Sequence, residues 1–547
     1  MNALNKNRLM QTCLALLMLA GTSNYAQAQG QPKGDGVGNE EVVVVKEYEA
    51  TIQDAQKVNI PPNIPEVEEK PKTFNYSVPA KDLKDFSFEP NPLKPIALSK
   101  EKFEKYNTSF IKVGFGSQIM PIAQLAYNDN KTKNLKFGFN YDHLSAMDYK
   151  KKLKRFSDDE AGLYLRYFPK RFEVGLAFDF HNNRTHFFGT DSAYERKTVR
   201  QVLRNYDGLI YFKNAQKNKI DVDIKQTVGF NYLQETFGKA NEWYINGNTD
   251  FSKGIKKVHA VIVNINFDIS KLKNDSLKLD RGIYTFDGGY SFNNDDWKAH
   301  ALLGITINGS TPYLYADAHV EKRLYEHSLI AYANYTYKYQ KNSLNSFIQQ
   351  NNFIQNWVDI RNTIKGDFAL GFKGTVQNFS YNLAFRLNHI NNMPLYINDT
   401  LDTKRFIVVY EDKMLLYGGH FELGYNTKEW LRLTLMGDYN YYKLTQNAYA
   451  WHTPDFKATL RANYIWKNKI SLTVDVYGVT GTRALLADNN TIKLPGTVDA
   501  NIGIEYLFNK HVAFWGMINN IANQHYQRYY KYDSYGINGA IGAKFSF

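Results

Sequence analysis

From Asn107 to Phe547 the chain keeps returning to one pattern. Apolar and polar residues alternate with period two over segments of about 10–15 residues, the length of a tilted membrane strand with extensions. In VHAVIVNINFDIS, Val261, Val263, Ile265, Phe267 and Ile269 share one face; Ala260, Asn264, Asn266 and Asp268 take the other, with Ile262 the exception. In KISLTVDVYG, Ile470, Leu472, Val474 and Val476 oppose Ser471, Thr473, Asp475 and Tyr477. KIDVDIKQTVGF sets Ile220, Val222, Ile224 and Val228 against Asp221, Asp223, Lys225 and Thr227. Such strands need an apolar medium on one side and a polar one on the other. Aromatic residues make up 15% of the chain, yet the mean hydropathy is −0.49. Beyond residue 28 no run approaches the ~18 apolar residues of a membrane helix. The combination predicts an all-β transmembrane antiparallel barrel, where only alternate residues meet lipid.

The connections point the same way. Short polar turns recur at 168–173, 214–219, 252–257, 293–296, 426–430, 466–469 and 508–511. Longer polar loops fall between them at 146–158, 187–199, 271–280, 341–360, 391–403, 445–454, 482–496 and 523–535. Outer-membrane barrels alternate in this way, with short turns in the periplasm and long loops outside. Counting by that rule gives about 22 strands with both ends periplasmic, provided 405–426 is one long strand. The last segment, GINGAIGAKFSF, sends Ile537, Ile541, Ala543, Phe545 and Phe547 outward and Asn538, Ala540, Lys544 and Ser546 inward. A final strand of this kind ending in Phe is the usual address for the barrel assembly machinery. Ile541, Ala543, Phe545 and Phe547 are therefore the expected insertion signal.

The N-terminal part reads differently. Residues 1–28 form a signal peptide: Lys6 and Arg8 precede the apolar stretch 9–20, and Ala26-Gln27-Ala28 offers a cleavage site. The single cysteine, Cys13, lies inside it, so the exported chain is expected to carry no disulfide framework and no thiolate metal site. The net charge of +13, or +11 without Lys6 and Arg8, is spread through turns, which argues against nucleic acid as a partner. Within residues 29–105, the stretch from Pro61 to Pro95 alone holds eight of the chain's 15 prolines. Proline removes ladder donors and favours extended chain, so this region reads as a disordered periplasmic arm. The barrel is expected over 106–547.

The segment KLPGTVDANIGIEYLFNKHVAFWGMINNIANQHYQ (493–527), with the terminal strand, resembles the C-terminal end of TonB-dependent receptor barrels. The matching features are Pro495-Gly496 before a strand holding Asp499, the hairpin at Phe508-Asn509-Lys510, and Asn519-Asn520-Ile521 leading to Asn523 and Tyr526. The resemblance implies a barrel that takes up substrate across the outer membrane around an internal plug domain. Two departures stand out. Tyr535-Gly536-Ile537-Asn538 lacks the arginine usual before the last strand, and residues 29–105 are too few and too proline-rich for the plug.

Within EEVVVVKEYEA (40–50), the valine run is similar to a TonB box. Glu41, Val42, Val43, Val44, Val45 and Lys46 are expected to pair by β-augmentation with TonB or another envelope protein, because β-branched residues prefer the extended chain. A strand added to the barrel's own turns, or docked in the lumen, stays open as well.

Chemistry is sparse. Ser145 with His143, and Ser328 with His327, come nearest to a hydrolase site, and the sequence identifies no third partner for either, so no enzyme is expected. FSDDE (156–160) and NNDD (293–296) lack the EF-hand spacing and read as solvated loop acids; no metal or cofactor is expected. The aromatic runs at 332–339 and 438–444 read as an interfacial girdle rather than a sugar platform. The basic segment YKKKLKRF (149–156) either meets lipopolysaccharide phosphates or is solvated. Three functions remain: an uptake receptor without a plug, a non-transporting barrel subunit of an outer-membrane assembly, and a passive porin-like channel. So wide a lumen is expected to be filled by the arm, by inward loops or by another subunit.

Overall fold

The computed structural model describes residues 108–547, apart from 130–131, 190–193, 215–219, 357–358 and 428–429. The expected signal peptide and arm, with Glu41 to Lys46, lie outside the described residues. Twenty-two strands form one sheet in which each is antiparallel to the next, and the first (Ser109–Gly116) closes on the last (Asn538–Ser546). The expected strand number holds, and the segment near 405–426 is one strand, Phe406–Thr427, of 22 residues. Ser109 and Phe547 exchange backbone hydrogen bonds of 3.2 and 2.9 Å, so the closing strands begin and end at one rim. Closure leaves this 22-stranded sheet without a free edge to recruit other chains.

Alternation sorts the side chains as the sequence requires. Ile111, Val113 and Phe115 of the first strand are exposed on the outer face, beside Ile541 (75% exposed), Phe545 and Phe547 of the last; Ala543 shares that face. The inner face carries charge, much of it paired: Lys544 with Glu505 at 3.1 Å, Arg461 with Asp475 at 2.7 Å, Arg386 with Asp438 at 2.6 Å. A continuous exposed apolar belt around a polar lumen is a surface that a bilayer solvates and water does not. The aromatic runs obey the same rule and are split by it. Tyr335, Tyr439 and Tyr441 stand outside, whereas Tyr332 is buried on the inner face and bonds Asn382. Trp515 lies across the inner wall over Gly114 and Gly542, where a Cβ would fall 2.3 and 2.6 Å from its ring.

The two rims differ. At the rim that holds the ends of the closing strands, hairpins turn in a few residues. Lys467 and Asn468 adopt φ of +50° and +54°, a left-handed pair in the three-residue turn between Trp466 and Ile470. Asn509 Oδ1 accepts from the backbone N–H groups of His511 (2.8 Å) and Val512 (2.9 Å) and so fixes another turn. At the opposite rim the strands run further than the sequence pattern marks. The loops expected at 146–158, 271–280 and 391–403 shrink to 148–154, 274–277 and 399–405. Above the lipid belt both faces are polar, so the apolar period fades while the backbone ladder continues.

Candidate functional site: a loop cap across the lumen

One buried apolar cluster joins elements from opposite sides of the barrel. Leu203, Leu233, Ala240 and Leu272 come from the sixth to ninth strands, and Tyr396, Phe406 and Tyr410 from the fifteenth and sixteenth. The seventh and sixteenth strands are nine apart in a ring of 22, close to half the circumference. The gap is bridged by loop residues: Leu344, Phe347, Ile348, Ile354 and Ile360 of the connection 341–362, and Tyr529 and Tyr532 of the connection 520–537. The loops thus cross the mouth of the lumen on a core of their own.

The local sequence explains how loops can do this. Ser343 and Ser346 form a reciprocal capping box that starts the short helix Leu344–Gln350, whose apolar residues turn into the cluster. The barrel wall finishes the cap. Glu242, buried on the lumen face of the eighth strand (Ala240–Ile255), accepts from the N–H groups of Leu344 (3.2 Å) and Asn345 (2.8 Å). Beyond the helix, 353–355 is stitched to Phe406: Phe406 N–H donates to Phe353 O (3.0 Å), and Gln355 N–H to Phe406 O (2.8 Å). Phe406 is fully buried against Tyr529, Tyr532 and His452. Tyr532 stacks on Phe353 with ring centres 3.7 Å apart and donates its hydroxyl to Lys404 O. Tyr529 donates to Gln350 O at 2.7 Å.

Buried polar groups fasten the rest. Glu411, fully buried, accepts from the N–H groups of Thr445 (2.6 Å), Gln446 (3.0 Å) and Asn447 (2.9 Å), anchoring the loop 445–455. In that loop, His452 hydrogen-bonds through Nδ1 to Tyr396 O (2.9 Å) and accepts at Nε2 from Tyr530 N–H (3.4 Å). Burial pushes its pKa from 6.5 down to about 4, so it is neutral. In the basic segment expected to be solvated or lipid-facing, Lys150, Lys151 and Lys152 are exposed, whereas buried Lys154 turns to Asp533 at 3.1 Å, and Lys151 reaches the same carboxylate at 3.2 Å. Burial raises the Asp533 pKa, but the two ammonium groups outweigh it and hold the carboxyl below its ordinary range. Burial lowers the pKa of Lys154, against the pull of Asp533.

The remaining sequence candidates are dispersed. FSDDE is not a loop; its acids lie in the strand Arg155–Tyr167 and face both ways. Asp158 and Glu160 look into the lumen, where their ligand atoms and one from His181 lie within 4.8 Å of one another. A cation could sit there, but the 2.6 Å hydrogen bond from His181 to Asp158 accounts for the geometry without one. In NNDD, Asn294 Oδ1 caps the turn by accepting from Trp297 N–H at 2.7 Å. Ser328 sits in a hairpin turn and donates to Tyr325 O at 3.0 Å, apart from any triad. His143 differs: it has the third partner that the sequence did not identify. Its Nδ1 meets Asp159 Oδ1 at 2.7 Å and its Nε2 meets Ser145 Oγ at 3.2 Å. The signal was present in the hairpin register, because pairing Met147 with Arg155 forces His143 opposite Asp159. That register needs the loop tip, which the pattern places too broadly.

No protein-family model matches the sequence, and a search of curated proteins finds no relative. Solved structures do match. The iron transporter FrpB of Neisseria meningitidis (F3-3 variant) superposes with a TM-score of 0.65 at 11% identity, over 81% of this chain and 82% of that one. The siderophore receptor PiuA of Acinetobacter baumannii gives 0.61 at 11% identity, over 80% and 82%. The ferric-catecholate import receptor Fiu of E. coli K12 in its closed form gives 0.62 at 10% identity, over 81% and 82%. At these identities the fold is shared: the resemblance seen at residues 493–547 extends to the whole 22-stranded wall.

Proposed function

We propose that the chain is an outer-membrane uptake receptor of the TonB-dependent type whose loop cap is the closed gate of its lumen. The carrying observation is the apolar core that runs from the seventh strand to the sixteenth across the mouth. In this reading the short-turn rim and both chain ends are periplasmic, and the cap faces outward. Ile541, Ala543, Phe545 and Phe547 are read by the barrel assembly machinery, and the outer belt meets lipid and lipopolysaccharide. Residues 41–46 reach TonB, and the lumen carries no plug from 29–105. The structural neighbours are named as an iron transporter, a siderophore receptor and a ferric-catecholate import receptor, so ferric chelates are the cargo class to test first.

A second reading, a non-transporting subunit of an envelope assembly, draws on the same cap. Glu242, Glu411 and the Lys154–Asp533 pair fasten it at several points that a gate would have to release. A passive channel is the least compatible, because the loops bridge the mouth. The experiment places a single cysteine at Val43 in a chain whose only native cysteine is Cys13. Oxidation in cells should trap TonB carrying a matching cysteine, and depletion of TonB should abolish ferric-chelate uptake. Capture of a different envelope protein, with no TonB adduct and no uptake, moves the assignment to the second reading.

A further inference from the structure

The outer surface of the barrel carries a second arrangement that transport does not use. His143 and Ser145 are two apart in the strand Leu135–Met147, so they project from the same face. That face is the lipid-facing one, because it is shared with the exposed Phe137, Phe139 and Tyr141. Asp159 lies directly opposite His143 on the next strand, and Asn182 opposite Asp159 on the one after. A carboxylate only accepts, so the 2.7 Å contact is an Nδ1–H donated to Asp159. Nε2 is then left as the acceptor of the Ser145 hydroxyl at 3.2 Å. Asp159 is itself fixed by Tyr141 O–H (3.1 Å) and Asn182 N–H (3.1 Å), with Arg184 at 3.9 Å. Nucleophile, base and orienter therefore stand in one hydrogen-bonded line.

Depth selects the substrate. Ser145 is ten residues along the strand from Leu135 at the short-turn rim. At a rise of ~3.3 Å per residue and a tilt of ~40°, that is about 25 Å, the height of the apolar belt. The hydroxyl thus stands where the acyl-ester groups of the far leaflet begin. Below it Tyr141, Phe139, Leu163 and Phe178 offer an apolar wall along which acyl chains could lie. At its own level Ser157 faces Ser145 across the ladder and Arg184 faces Ser157, supplying an O–H and a guanidinium for a developing oxyanion.

We propose that Ser145, His143 and Asp159 form an esterase site on the outer wall that hydrolyses acyl esters of membrane lipids. The proposal requires only that the barrel stand in a membrane, whatever passes through its lumen. Ser145 Oγ attacks the ester carbonyl carbon as its proton moves to His143 Nε2. The bond from that carbon to the alcohol oxygen breaks, and the alcohol leaves with the proton. Water then attacks the acyl-serine, gives a proton to His143, and releases the fatty acid as the proton returns to Ser145. Ser145 and His143 are the catalytic residues; Asp159 is a positioning residue.

The test uses the full-length barrel in detergent and in vesicles, with folding checked by heat-modifiable gel mobility. A fluorophosphonate should label Ser145, located by peptide mass spectrometry, and a medium-chain nitrophenyl ester should be cleaved. Ser145→Ala and His143→Gln should each lower turnover at least about 100-fold, the scale of losing a nucleophile or its base. Asp159→Asn should lower turnover and displace the pH–rate profile, which a purely structural loss would not do. Ser328→Ala, remote in a hairpin turn, should change nothing. Vesicles of glycerophospholipid and vesicles of acylated glucosamine lipid identify which source releases fatty acid. No label at Ser145 in folded barrel, or turnover that survives Ser145→Ala, overturns the site. Cleavage of the nitrophenyl ester with no fatty acid from either lipid overturns the lipid assignment.

Discussion

The two rims of the barrel are ends of the same 22 strands, yet they are built by different physics. At the short-turn rim, turns such as 467–469 and 508–511 are shaped locally, by the left-handed residues Lys467 and Asn468 or by an Asn509 side chain folding back on its own backbone. At the other rim the loops of the cap lean on one another and on the wall. The connection 341–362 takes acceptors for two helix N–H groups from Glu242, its stacking partner from Tyr532 and its edge pairing from Phe406, residues distant from it and from one another in sequence. Local turns fail one at a time; a shared core fails together. The cap is thus the part of the molecule able to have two states.

The largest predicted effect tests that cooperativity. Phe406→Ala removes a fully buried aromatic at the centre of the cap, a loss of about 3–5 kcal/mol if the site does not collapse. Hydrogen exchange should rise in 341–362, 445–455 and 520–537 together, while the strands keep their protection. Exchange confined to 399–405 would mean the loops are independent. Next comes Glu242→Ala, which leaves two helix N–H groups buried without an acceptor and should cost about 2–3 kcal/mol. Proteolysis within 341–362 should accelerate, and Glu242→Gln should give an intermediate rate.

Acid probes the same contrast. His452 has its pKa depressed from 6.5 to about 4, so the unfolded loop binds more protons in that interval. The cap should therefore lose stability as pH falls from 6.5 toward 4, by about 3 kcal/mol in total, and change little from this group above 6.5. Asp533, held below its ordinary range, acts in the same direction at lower pH. Loop exchange measured at pH 7, 5 and 4 should show the trend, and His452→Asn should flatten its upper part. The smallest effect belongs to the other rim. Lys467→Gly relieves a left-handed non-glycine residue and should raise unfolding stability by up to about 1 kcal/mol with no change in cap exchange.

Much of the wall was legible in the sequence, because a bilayer on one side and water on the other impose period two directly. The faces of 261–269 and 470–476 and the closing strand could be read residue by residue. The cap could not. Leu344, Phe347 and Phe406 carry no period, since their neighbours come from strands far away in the chain. Glu242 and Glu411 look like two more lumen acids until the loops above them are placed. The cluster at His143 failed to show for a narrower reason: its partner, Asp159, sat in a stretch read as loop, so no register could be counted to it.

The central claim is that the loops close the mouth of the lumen on a core of their own, and single-channel recording in planar bilayers tests it most directly. The full-length protein should insert without steady conductance, and the Phe406→Ala, Tyr532→Ala double variant should open long-lived pores. A steady, large conductance from the unaltered barrel, unchanged by the double variant, would contradict it.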